Sequence, residues 1–308
     1  MNKPLNSTSV SLYSKWKNSK TGYLMLIPAF LLIAGVMFYP ISYSVRMSLS
    51  DVDITPNGYD FSFVGLQNYL EIFSSNVYWG SVWFTFYFTF VTVLLEVIIG
   101  MLIALAINKV KGMMNVSLVV MLIPWSFITV VSAQMWSYIY NGVYGVMNYI
   151  FEMLHLIDSP ITWLGTPAMA VISMMIAEIW KTTPFVVIIL LAGLQMVPKD
   201  QYEAADIDGA NRWQRFYKIT MPAIKGSIAV AVLFRVLQAF GVFDLPFVLT
   251  GGGPGNTTQP LAMLGHKVLF QNLNFGIGAA ISVSTVLFIL ALATIFFSVI
   301  RSVIKGDD

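Results

Sequence analysis

Six long apolar runs limit what this chain can fold into. The first, residues 23–45, contains no charged side chain. As a helix it would rise about 34 Å, enough to cross a hydrocarbon core of about 30 Å. It exceeds the roughly 7–15 apolar residues of a typical secretory signal, so it reads as an uncleaved span. Further runs follow at 82–107, 116–138, 168–196, 224–249 and 278–301. The connections between them, 46–81, 108–115, 139–167, 197–223 and 250–277, are too short for an independent soluble domain. Only 10% of the 308 residues are charged, against about 25% in soluble domains. The expected fold is all-α and polytopic, with six transmembrane helices. Residues 23–301 would form one membrane domain, with tails at 1–22 and 302–308.

The cations divide between the two sides of such a bundle. Lys3, Lys15, Lys17 and Lys20 lie in the N-terminal tail, and Lys109 and Lys111 in the 108–115 turn. Lys199, Arg212, Arg215, Lys218 and Lys225 cluster between the fourth and fifth runs, and Arg301 and Lys305 follow the sixth. The alternate loops carry only Arg46 and Lys267, together with Asp51, Asp53, Asp60, Glu71, Glu152 and Asp158. By the positive-inside rule both termini and the 197–223 loop face the cytoplasm. Tyr78, Trp79, Trp83, Trp136, Tyr138 and Trp163 suit interfacial anchoring. Gly100, Ala104 and Ala106, and the run Gly276, Gly278, Ala279 and Ala280, would let helices approach closely.

Several chemistries are excluded or weakened. There is no cysteine, hence no disulfide, zinc-thiolate site or thiol nucleophile. His155 and His266 are too few for a histidine-built metal site. No G-x-x-x-x-G-K-[ST] phosphate loop occurs, and Gly251-Gly252-Gly253-Pro254-Gly255 lacks the Lys-Ser/Thr that one requires. Neither a Ser-His-Asp set nor a carboxylate pair with a plausible cleft suggests an enzyme.

The most polar long stretch is EAADIDGANRWQRFYKITMP, residues 203–222. Pro198 would end one helix or start the next. Helix formers and early acids over 199–208 suit a short helix, and Gly209 supplies the positive φ that ends it. A side chain at Gly209 is expected to clash. Asn211 would cap a second helix over 212–219, on which Trp213, Phe216 and Tyr217 share a face, and Pro222 would stop it. An amphipathic helix lying in the membrane interface explains 212–219. A docking surface for a cytoplasmic partner also explains the acidic first helix and the glycine hinge, with Glu203 as its first ionic or capping contact.

Glu203-Ala204-Ala205, Gly209, Ile219, Met221 and Pro222 resemble the EAA signature of ABC importer permeases, with Met221 at a usual leucine. FVGLQNYLEIF (63–73), LIPW (122–125), WKTTPF (180–185), FDLPFVLTGGGPGNTT (243–258) and NFGIGAAISV (274–283) resemble the carbohydrate-uptake, maltose-type permeases. The resemblance implies a bacterial inner-membrane permease in which Glu203, Ala204, Ala205, Asp206, Gly209, Ala210, Ile219 and Pro222 couple to an ATPase dimer. ATP and Mg would be bound by that partner; this chain itself would need no cofactor. A second permease, an extracytoplasmic binding protein docked on the outer loops, a sugar and membrane lipid complete the implied partners, with no nucleic acid among them.

Glu96, Glu178, Lys181, Arg235 and Asp244 fall inside the apolar runs and should face the bundle interior or water. Glu178 and Lys181 stand i, i+3 and can neutralise each other. They are either structural pairs or lining of a path. The resemblance implies sugar contacts at Lys181, Thr182, Phe185, Arg235, Gln238, Ala239 and Val242, although Ala239 and Val242 depart from the polar residues common there. A self-sufficient channel or secondary transporter is the alternative; it calls for an inverted repeat, which is not evident.

Overall fold

The computed structural model describes residues 12–56, 58–110 and 114–305. Residues 1–11 and 306–308 of the expected tails, and Lys111 of the short turn, lie outside the described residues. The chain opens with α1 (Leu12–Ile33), a π-turn (Ala34–Phe38) and α2 (Tyr39–Ser48). A hairpin of β1 (Ser50–Thr55) and β2 (Gly58–Phe63) follows, then α3 (Gln67–Ser74), α4 (Asn76–Lys109), α5 (Met114–Ser126), α6 (Thr129–Ile139) and α7 (Val146–Met153). Next come α8 (Pro167–Gln195), α9 (Lys199–Ile207), α10 (Arg212–Arg215), a second π-turn (Phe216–Thr220) and α11 (Met221–Phe240). The chain closes with α12 (Asp244–Leu249), α13 (Leu261–Phe270) and α14 (Phe275–Lys305).

Among the described residues, five helices are long and apolar enough to cross a membrane: Tyr23–Ser48, Asn76–Lys109, Pro167–Gln195, Arg212–Phe240 and Phe275–Ser298. The run expected over 116–138 is two helices that meet at 89°, and counting them as one span gives six. Ile128, between them, is extended at ψ 137, which a continuous helix forbids. The run expected over 224–249 stops at Phe240. Gly241 ends α11, and Asp244 begins the separate α12.

Helices α4, α8 and α11 form the centre. At the crossing of α4 and α8, a Cβ on Gly100 would lie 2.9 Å from Val186 Cγ1, and Ala104 beside it is fully buried. Ala106, which shared the expected small-residue role, is exposed. Met101, Val186, Leu190, Leu194 and Ile224 pack the half of the core near the 197–223 loop. At the opposite end, Phe84, Phe88, Trp136, Tyr140 and Trp163 make an aromatic cluster with Met174 and Leu245. In lipid such contacts hold helices through close packing, because tails compete equally for apolar surface.

An all-α expectation misses the β1–β2 hairpin, whose antiparallel register pairs Ser50 with Phe63 and Thr55 with Gly58. Asn68 fixes it to the bundle by donating to the carbonyls of Ser48 and Ser50 at 3.0 and 2.9 Å. Gly276 of α14 packs directly on the Ser50 carbonyl, where a Cβ would come within 2.5 Å. The loops expected over 139–167 and 250–277 likewise hold helices, α7 in the first and α13 in the second.

Candidate functional site

The hairpin between α8 and α11 is built by two adjacent capping motifs. After α9 the Ala210 amide donates to Ala205 O at 2.9 Å and the Gly209 amide to Asp206 O at 3.2 Å, the paired bonds of a Schellman motif. Gly209 sits at φ +75°, a left-handed conformation that glycine adopts freely. The expected clash is absent, because a Cβ there would meet nothing within 4 Å. Glycine is required by the turn and not by crowding inside this chain. Asn211 then caps α10 through a reciprocal capping box: its Oδ1 accepts from the Gln214 amide at 2.9 Å, and Gln214 Oε1 accepts from the Asn211 amide at 2.8 Å.

Pro222 does not stop the second helix. The π-turn Phe216–Thr220 precedes it, and the helical path continues unbroken from Arg212 to Phe240. Proline lacks the N–H that would bond to the carbonyl four residues back, and its ring crowds that carbonyl. A π-turn opens the ladder at that point. The same solution recurs at Pro40, which follows the π-turn Ala34–Phe38.

Tyr202 ties the hairpin to this path, its hydroxyl 2.9 Å from Thr220 Oγ1, and Arg215 pairs with Asp206 across the turn. Ile219 and Met221 pack against the core. Glu203, Ala204, Asp206, Gly209 and Pro222 are exposed, while Ala205, Ala210 and Ile219 are half-buried. Glu203 has no ionic or capping partner among the described residues of this chain. Trp213 and Tyr217 stack at 6.1 Å and stand 70% and 62% exposed. Together with α9 they present a surface that the described residues leave uncovered.

About 20 residues further along α11 lies a buried charge cluster. Arg235, 2% exposed, reaches Glu96 of α4 with two nitrogens, and its Nη2 also donates to Glu178 of α8 at 2.9 Å. Its Nη1 donates to Gln238 Oε1 at 2.8 Å. Thr182 donates to Glu96 Oε1 at 2.7 Å. The expected Glu178–Lys181 pair does not form. Glu178 pairs with Arg235 instead, because a planar guanidinium can serve two buried carboxylates at once. Lys181 is half-buried beside the cluster, without an ion pair among the described residues. Asp244 lies outside the cluster, exposed in the first turn of α12.

The remaining path candidates separate by face. Phe185 is half-buried, stacked on Trp125 at 6.2 Å and edge-on to Phe234. Gln238 is exposed next to the cluster, on the same side of α11 as exposed Phe234 and Val230. Thr182 and Arg235 stand behind that surface. Ala239 is fully buried, and Val242 is buried in the aromatic cluster, so both are packing residues here. Phe234 and Trp125, which contact Phe185, were not among the expected path residues, although Trp125 lies in the LIPW motif. For Phe234 the available signal was its i−4 spacing from Gln238.

The long apolar helices mark a multi-pass membrane protein, with a buried charge cluster between three of them. Residues 96–305 match the family described as "Binding-protein-dependent transport system inner membrane component", and the chain belongs to that family. It is 41% identical over 290 residues to the trehalose/maltose transport system permease protein MalF of Thermococcus litoralis, covering 93% of this chain and 96% of that protein. It is 36% identical over 299 residues to the trehalose transport system permease protein SugA of Mycobacterium tuberculosis, covering 96% and 93%. Among solved structures, it resembles a chain of a bacterial ABC transporter involved in alginate import, with TM-score 0.81, 22% identity and coverage of 94% and 98%.

Proposed function

We propose that this chain is one of two permease subunits of an ATP-driven carbohydrate importer, with the ATP and its metal held by a partner ATPase dimer. The carbohydrate class follows from relatives named for trehalose and maltose transport, and from a structural neighbour named for alginate import. The observation that carries the coupling role is the hairpin itself. Its turn and both helix ends are satisfied internally, yet Glu203, Trp213 and Tyr217 are presented outward. A second solved neighbour is an alginate transporter in complex with a periplasmic protein, which supports an external binding protein as the donor of the sugar. In this reading Lys181, Phe185 and Gln238 face the path, while Arg235, Thr182, Glu96 and Glu178 hold Gln238 in position. Residues 1–22 and 302–308 and the hairpin lie on the cytoplasmic side.

The test is native mass spectrometry of the tagged chain, purified in mild detergent from its own membrane. Recovery with an ATPase dimer and a second permease supports the proposal. A folded chain recovered alone or as a homo-oligomer refutes the coupling role and favours a self-sufficient channel.

A further inference from the structure

Where α4 and α8 end against the hairpin, the chain leaves a cavity of about 590 Å³. Three cations line it: Lys109 in the last turn of α4, and Arg212 and Arg215 of α10. Among the described residues no carboxylate lines it. Lys109 and Arg212 are exposed, and neither has an ion pair among the described residues. Arg215 keeps 29% of its side chain exposed while pairing with Asp206, which stands outside the lining. Two positive charges therefore go unanswered around one cavity. A stripe of α4 leads down to it. Ile98, Leu102, Leu105 and Lys109 are spaced i, i+4, i+7 and i+11, which puts them on one face of the helix. Ile98 and Leu102 are exposed, and Leu105 lines the cavity together with Leu194 and Phe216. An apolar track thus ends in a basic pocket, at the level where two spanning helices end.

We propose that this cavity holds the headgroup of an anionic phospholipid, with an acyl chain lying along Ile98, Leu102 and Leu105. Arginine and lysine bond phosphate oxygens through charge-assisted hydrogen bonds, and arginine does so with two nitrogens at once. Basic pockets between spanning helices on the cytoplasmic side suit such headgroups. A zwitterionic headgroup would bring its own cation into the same pocket, so the local charge selects an anionic one. The stripe decides between a lipid and a free phosphate: an acyl chain buries Leu102, and a soluble anion does not. Bound there, the lipid bridges α4 and the hairpin. The inner leaflet follows from the hairpin facing the cytoplasm, as proposed above; the site itself does not depend on what is transported.

The protein is purified in mild detergent with the subunits that accompany it. It is titrated with phosphatidylglycerol, with phosphatidylcholine of the same acyl chains and with inorganic phosphate, and bound ligand is counted by native mass spectrometry. Phosphatidylglycerol should bind one site roughly ten-fold tighter than phosphatidylcholine, since two unpaired cations meet its charge. Inorganic phosphate should give no saturable adduct in that range. Lys109→Gln with Arg212→Gln should remove the preference, and Leu102→Asn should weaken phosphatidylglycerol about three-fold. Lys267→Gln, at the opposite end of the bundle, should change nothing. Should the double variant fail to fold, Leu102→Asn and the comparison of the two lipids on the parent decide. Equal binding of both lipids, or a preference that survives the double substitution, overturns the proposal. Phosphate binding as tightly as phosphatidylglycerol overturns it in favour of a soluble anion. A site present in the isolated chain and lost when an ATPase is bound also overturns it, and makes the cavity a partner's seat. A phosphatidylglycerol site in a chain that never purifies with an ATPase keeps this proposal and removes the transport reading.

Discussion

Arg235 answers two buried carboxylates with one guanidinium, so its removal leaves Glu96 and Glu178 buried without compensation. Breaking such a cluster from one side costs about 3–5 kcal/mol, while replacing all members by neutral groups of similar shape costs far less. Arg235→Met should therefore lower the unfolding temperature sharply, and adding Glu96→Gln with Glu178→Gln should restore most of it, as read by thermal unfolding in detergent. Arg235→Lys should recover only part, because an ammonium cannot serve both carboxylates in the same geometry. At Gly209 the constraint is conformational. Gly209→Asn should fold nearly as well as the parent, and Gly209→Val should lose about 1–2 kcal/mol. Gly209→Arg should abolish uptake while leaving membrane assembly intact, because its side chain would occupy the surface proposed for the ATPase partner; parental uptake would sink the coupling role. The caps at Gly209 and Asn211 were legible in the sequence because each is a local bargain among neighbouring residues. The Arg235 cluster was not, since its members lie 139 and 57 residues apart. Local spacing instead favoured Lys181 for Glu178, and nothing in one chain's sequence reveals which distant cation arrives in a better geometry.

Among the elements, proline within a helical path has two outcomes. Pro28, Pro124 and Pro184 sit inside helices, while Pro40 and Pro222 each follow a π-turn. Reading Pro222 as a terminator failed because the π-turn relieves the crowded carbonyl and lets the helix run on. Pro222→Ala restores the missing N–H and favours ordinary helical winding, which would rotate the hairpin relative to α11. The expected outcome is an intact complex whose uptake falls while its basal ATP hydrolysis persists; unchanged uptake would show that the π-turn has no part in coupling. The β1–β2 hairpin was overlooked inside a 36-residue loop, although alternation over 50–55 and the Asn57-Gly58 dipeptide offered a signal. The bend near Ile128 had no such signal: an apolar run reads the same whether its helix is straight or broken.

For the whole molecule, apolar runs specified a membrane protein because crossing a bilayer demands length and hydrophobicity, both visible in sequence. Which surfaces face lipid, water or another subunit is decided by helix rotation, and this the pattern leaves open. The absence of native cysteine makes the question directly testable. In the assembled complex, Gln238→Cys should react readily with a water-soluble maleimide, whereas Leu287→Cys, on the exposed side of α14, should react slowly; equal rates would argue against a watered path at Gln238. The unbroken helix from Arg212 to Phe240 carries a mechanical consequence. If the hairpin couples as proposed, this helix would act as a lever about the point where Arg235 clasps α4 and α8. The arm from that pivot to the hairpin is about 35 Å at 1.5 Å per residue. A tilt of only about 6° about the pivot sweeps the hairpin through roughly 3.5 Å on this geometry, while Gln238, a single turn from the pivot, shifts by only about 0.5 Å. Under that coupling, a broad stroke at one end would be geared down to a fine adjustment at the other.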